Sequence, residues 1–151
     1  GTLGHNIRLP RALLLNYKEA DYLEGPREKL YFYVDSSDQG IGRIKRLGPV
    51  KTPDVAKKAL NKAGYTEKDI DFLITHNPSI ILTDAWRKAL HLPENKQHIT
   101  LEQYGNMAAA SLGANLHEAV KMGKIKAEDI VVLCGPGTGH HHAAVVMRWG
   151  K

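Results

Sequence analysis

The sequence has 151 residues, 42% hydrophobic and 25% charged, a balance that suits one folded domain and excludes a disordered chain. Its formal net charge of +5 is spread evenly, with 8 Lys/Arg against 6 Asp/Glu in residues 1–50, 8 against 6 in 51–100 and 5 against 4 beyond, so no basic tail or face marks a nucleic-acid partner. A single cysteine, Cys134, excludes a disulfide framework and a cysteine-based zinc site. No apolar run approaches the roughly 18 residues of a membrane span, and residues 1–5 carry no signal-peptide pattern; the expected compartment is the cytoplasm.

Residues 1–29 read as an irregular lead-in. Leu30-Tyr31-Phe32-Tyr33-Val34 predicts the first strand, because aromatic and β-branched side chains suit a pleated surface. The segment 38–49, with three glycines, reads as a loop. Its Arg43-Ile44-Lys45-Arg46 cluster suits a phosphate-bearing cofactor, an acidic partner or plain solvent. Thr52-Pro53 pairs an N-cap with proline at the first helical position, and Val55, Ala56, Ala59, Leu60 and Ala63 share a face, so a helix is expected from there to a C′ glycine at Gly64.

Ile70-Asp71-Phe72-Leu73-Ile74 predicts a buried strand that stops at Thr75-His76-Asn77-Pro78-Ser79. A second helix is expected over 79–90, with Ile81, Leu82, Ala85, Trp86 and Ala89 inward and Pro93 beyond. His98-Ile99-Thr100 reads as a short strand. Residues 105–120 are small or apolar nearly all round, which predicts a helix buried on several sides and ended by Gly123. A strand over 130–134, a tight loop Gly135-Pro136-Gly137-Thr138-Gly139 and a closing strand over 143–149 complete the chain. The order β-α-β-α-β-α-β-β predicts an α/β fold over residues 30–151. Its mixed five-stranded sheet has the first four strands parallel through crossover helices, the last antiparallel, helices on both faces and one buried helix.

Three segments fall at strand or helix ends, where open α/β sheets place ligands. His76 emerges from a buried strand into a crevice, as a functional group or a satisfied loop histidine. Asn106 opens the small-residue helix, as an N-cap or as an amide facing a reacting group. The loop 135–139 lacks the lysine and serine or threonine of a Walker loop and precedes a strand, which leaves backbone N–H groups for an oxyanion, or a hairpin turn. His140-His141-His142 cannot chelate one ion from a regular strand, whose successive side chains point to opposite faces, and no metal is expected. Cys134, ending a buried strand with no adjacent base, reads as a core residue.

Taken together, His76-Asn77-Pro78-Ser79, Gly105-Asn106 with Ala109-Ala110-Ser111, and the terminal glycine loop resemble the C-terminal half of a β-ketoacyl-acyl-carrier-protein synthase III, in the thiolase-like superfamily. Ala63-Gly64-Tyr65, Asp69-Ile70-Asp71, Gly123-Lys124-Ile125-Lys126 and Arg148 carry the same resemblance, which spans residues 30–149 and is strongest from Thr52. It implies a decarboxylative condensation. A cysteine of the other half takes an acyl group from coenzyme A. His76 and Asn106 then hold the malonyl thioester carbonyl as an enolate, and the backbone of Gly137 and Thr138 serves the acyl-cysteine oxyanion.

By the same resemblance Ser79 contacts substrate, standing where the family has asparagine in His-Gln-Ala-Asn, and Ile81 stands in place of an arginine. The implied partners are acyl-CoA, a malonyl thioester of carrier protein or coenzyme A, and an N-terminal half or subunit, in a dimer; no cofactor is implied. No segment of the chain matches the family's nucleophilic cysteine, so the chain reads as half an active site, inactive alone. A non-catalytic acyl-binding or dimerisation module and a condensing enzyme of the hydroxymethylglutaryl-CoA synthase type are the alternatives.

Overall fold

A computed structural model of the chain describes residues 7–8, 33–34, 43–137 and 141–150. They fall into two compact units, residues 1–45 with 138–140 and residues 46–137 with 141–151, each described by itself. In the first, β1 (Ile7–Arg8) pairs antiparallel with β2 (Tyr33–Val34). The predicted strand at 30–34 is therefore present at Tyr33–Val34, but its partner is β1 and the pairing is antiparallel. Leu30, Tyr31 and Phe32 and most of the lead-in lie outside the described residues.

α1 (Arg43–Lys62) starts nine residues before the expected N-cap and takes in Pro49 and Pro53. Proline inside a helix removes an N–H, so the carbonyls of Lys45 and Pro49 have no partner four residues on. A different carbonyl of the same turn, Gly48, accepts the Trp86 indole N–H at 2.8 Å, which ties α1 to its neighbour without replacing either lost bond. Thr52 does not cap. It is fully buried within the helix, its hydroxyl 3.0 Å from His142 Nδ1. Ala56 and Leu60 form the buried stripe, while Ala63 lies past the helix and is exposed. Gly64, at φ +80°, takes the left-handed conformation that lets Tyr65 N–H reach back to the Leu60 carbonyl at 2.9 Å, the closure expected there.

In the second unit β3 (Phe72–Thr75), β4 (Ile130–Gly137) and β5 (His141–Arg148) form one mixed sheet in the order β3-β4-β5. β3 and β4 are parallel, with Thr75 opposite Cys134. β4 and β5 are antiparallel, with Gly137 opposite His141. The sheet thus has three strands among the described residues rather than five. The segment at 98–100 is no strand: Gln97 makes a single parallel bridge to Leu73, and the Thr100 N–H turns instead to the Asn115 side chain at 2.8 Å. Gly135, Pro136 and Gly137 continue β4, because the ladder with β5 runs on through all three; they are not a tight loop.

Alternation along the strands builds two apolar layers, as strand geometry requires. Leu73, Val132, Cys134 and Val146 face Ala56 and Leu60 of α1 together with Leu90 and Leu92. Phe72, Ile74, Val131 and Met147 face Ala119, Leu112 and Leu116 of α4 (Ala110–Lys121). Helices therefore cover both faces, as expected. α2 (Ile80–Ala89) has Ser79 as its N-cap, and the core face is Thr83, Trp86 and Leu90; Ile81, expected inward, is 82% exposed because it lies on the opposite side of the first turn.

The expected helix over 105–120 is divided. α3 (Leu101–Tyr104) ends at Gly105, and Ala108 at φ +51° breaks the helical path until Ala110. α4 buries a single stripe, Ser111, Asn115 and Ala119, rather than several sides: Gly113 and Val120 on its other face are exposed. Among the described residues no helix is long and apolar enough to cross a membrane.

Candidate active site

His76 follows directly on β3. Its backbone N–H continues the parallel ladder to the Cys134 carbonyl at 3.1 Å, so sheet pairing fixes where its side chain leaves the chain. The neighbouring strand is shaped to receive it. A Cβ placed on Gly135 would lie 2.7 Å from His76 Cβ, closer than side chains tolerate, so glycine is required there by packing. The imidazole is half-buried. Burial pushes its pKa below the ordinary histidine value, and a hydrogen bond to the Ala108 backbone pulls partly back. At neutral pH the ring is neutral, a donor without a full charge.

Asn106 reaches the same place through its turn. It is exposed and does not cap α4; its Oδ1 accepts the Ala108 N–H at 3.0 Å, two residues on, and the Ser111 hydroxyl accepts the Met107 N–H at 3.2 Å. This side-chain turn holds Ala108 in the left-handed region that alanine otherwise avoids at a cost of about 1–2 kcal/mol. The Ala108 backbone is the group that His76 contacts. The structure therefore brings His76 together with the turn built by Asn106, thirty positions apart in sequence.

The other expected site residues are placed separately. Ser79 Oγ accepts the Leu82 N–H at 3.3 Å, engaged as a helix cap. Gly137 ends β4, exposed, two residues past Gly135; Thr138 lies outside the described residues. His141 is exposed and His142 half-buried, as alternating strand positions, and His140 also lies outside the described residues. Cys134 is buried, and burial pushes its thiol up to about 12, so it remains a packed thiol and no nucleophile.

Residue-level reading of the sequence missed a buried polar network beneath His76. Asn77 and Asn115, both fully buried, exchange amide hydrogen bonds: Asn115 Nδ2 donates to Asn77 Oδ1 at 2.7 Å, and Asn77 Nδ2 donates to Asn115 Oδ1 at 3.1 Å. Asn115 Nδ2 also donates to the Thr75 carbonyl at 2.8 Å, and its Oδ1 accepts the Thr100 N–H and hydroxyl, each at 2.8 Å. Gln97 Nε2 adds a bond to the Thr75 hydroxyl at 3.3 Å. The available signal was an amide four residues from both Ser111 and Ala119, on the inner stripe of a helix otherwise made of small and apolar residues.

Residues 60–149 match the family model described as 3-oxoacyl-[acyl-carrier-protein (ACP)] synthase III C terminal. The chain is 42% identical over 94 residues to the beta-ketoacyl-[acyl-carrier-protein] synthase III of Geobacillus kaustophilus, covering 62% of this chain and 30% of that protein. It is 35% identical over 124 residues to the protein of that name in Bacillus pumilus, covering 80% and 40%. The crystal structure of beta-ketoacyl-[acyl-carrier-protein] synthase III from Thermus thermophilus superposes with a TM-score of 0.71 at 30% identity, covering 82% of this chain and 36% of that one. The fold is the thiolase-like α/β fold, and the chain spans less than half the length of these relatives. With the matched segment running from the last turn of α1 to the end of the sheet, the chain belongs to the family of 3-oxoacyl-[acyl-carrier-protein] synthase III C-terminal domains.

Proposed function

We propose that this chain supplies the decarboxylating half of a condensing site, in which His76 and the Asn106 side chain donate hydrogen bonds to a malonyl thioester carbonyl while a cysteine borne by another segment or subunit carries the acyl group. The observation that supports it best is the neutral, half-buried imidazole of His76 beside the turn built by Asn106. Loss of carbon dioxide leaves negative charge on the thioester oxygen. A neutral donor stabilises that enolate without quenching it by complete proton transfer, and preorganised donors of this kind are worth about 10²–10³ in rate each.

The backbone N–H groups of Gly137 and Thr138 serve the acyl-cysteine oxyanion, and Ser79 meets the substrate's thioester arm. Ile81, 82% exposed where the family has an arginine, gives no cation to a coenzyme A phosphate, so acyl-CoA is held there by other contacts. The partner half carries the cysteine, and the assembled protein is a dimer working in the cytoplasm. The chain alone is inactive, because Cys134 is buried on the core side of β4 with its thiol protonated.

The test is His76→Ala in the intact protein assembled with its cysteine-bearing half. Malonyl thioester decarboxylation falls about 10²–10³-fold, while acyl loading of the cysteine, followed by mass spectrometry, persists. Unchanged decarboxylation overturns the proposal.

A further inference from the structure

We propose that Asn115 is a positioning residue for His76, acting through the two residues that flank it, Thr75 and Asn77. The inference rests on the role proposed for His76. α4 needs only small apolar residues to pack on the sheet, as Ala119 one turn further along the same stripe does. A fully buried amide at Asn115 adds nothing to that packing and costs free energy unless each of its polar groups is paired.

All of them are paired, and the partners bracket the histidine. One Nδ2 hydrogen goes to the Thr75 carbonyl at 2.8 Å, immediately before His76, and the other to Asn77 Oδ1 at 2.7 Å, immediately after it. The Oδ1 of Asn115 accepts the N–H and hydroxyl of Thr100 and the Nδ2 of Asn77, whose amide also reaches the Thr100 hydroxyl at 3.4 Å. One side chain thus ties together α4, the end of β3 and the segment at Thr100.

On its other sides His76 is held by the Cys134 carbonyl and by Gly135. The strand fixes its backbone from one direction and Asn115 from the opposite one. Freeing the Asn115 side lets the Thr75–Asn77 turn move with the ring on it. Misplacement by about 1 Å costs on the order of 100-fold in rate.

The experiment compares Asn115→Ala and Asn77→Ala with Ala119→Gly in the intact, assembled protein. Ala119→Gly is a control that loosens the same helix stripe without touching the network. Two quantities are read: kcat and KM for malonyl thioester decarboxylation, and the titration of the His76 ring by NMR. Both asparagine variants are expected to lower kcat about 10- to 100-fold with KM little changed. They also move the His76 titration up toward the ordinary value as the ring gains water, burial being the main cause of its depression and the Ala108 backbone the opposing one. Ala119→Gly lowers the melting temperature and leaves both readouts as in the parent.

Asparagine variants that lose thermal stability yet keep the parent His76 titration overturn the positioning role. If Asn115→Ala does not fold, Asn77→Ala decides, since it keeps the Asn115 bonds to Thr75 and Thr100. The two proposals fail separately. Decarboxylation that survives His76→Ala removes the catalytic role, whereas the NMR titration judges Asn115 by itself.

Discussion

His76 and His98 both titrate below the ordinary histidine value of 6.5, and for both the first cause is burial; at His98 the neighbouring Lys124, whose ammonium lies 3.2 Å from Nδ1, adds to it, and Glu118 opposes. A histidine whose folded pKa lies below its unfolded value binds fewer protons folded than unfolded, so stability rises with pH through this range. The contribution is complete above about pH 6.5 and is lost as the pH falls through the two folded values. Urea midpoints at pH 7.5 and pH 5 measure it: the protein unfolds at lower urea at pH 5, and His76→Asn combined with His98→Asn narrows the gap. An equal gap in the double variant contradicts this account. At His76 the preference for the neutral ring matches what the proposed chemistry asks of it.

Among the elements, the long α1 depends on one cross-link that its own sequence conceals. Its two prolines leave carbonyls without helical partners, and the indole of Trp86, fully buried on α2, donates to Gly48 at the turn between them. Trp86→Phe keeps most of the apolar volume and removes that one hydrogen bond to the buried Gly48 carbonyl, at a cost of about 0.5–1.5 kcal/mol. Urea denaturation checks this as a lower midpoint with an unchanged slope.

The same element shows what local sequence can and cannot reveal. Trp86 and the α2 boundaries were legible because a 3.6-residue period and a following proline are local signals. Helices on both faces of the sheet were legible because the order of strands and helices requires crossover connections, although three strands stand among the described residues where five were expected. The start of α1 was not, since Thr52-Pro53 has every mark of an N-cap and a distant tryptophan and histidine override it. His76 and Asn106 stood out by type and place, but their meeting at Ala108 depends on a left-handed alanine that no propensity favours. Asn77 and Asn115 were hidden for the same reason: a buried amide pair across 38 residues is a property of the packed chain, not of either segment.

At the scale of the whole molecule, the described sheet carries one apolar layer on each face, α4 on one side and α1 with Leu90 and Leu92 on the other. The chain's one cysteine lies inside the second layer, on the central strand, and is 2% exposed. Placed there, Cys134 makes the chain its own probe of opening. A disulfide reagent added to the native protein modifies no thiol at the rate of an exposed cysteine, because burial keeps the sulfur both covered and protonated, up to about 12. Modification then waits on excursions that part β4 from α1. Under rapid reclosure its rate divided by that of the unfolded chain is the equilibrium constant of that excursion. A rate within tenfold of the unfolded chain's contradicts this picture. Followed with and without the cysteine-bearing partner, the slowing of that single reaction reports how much free energy assembly adds to the central strand.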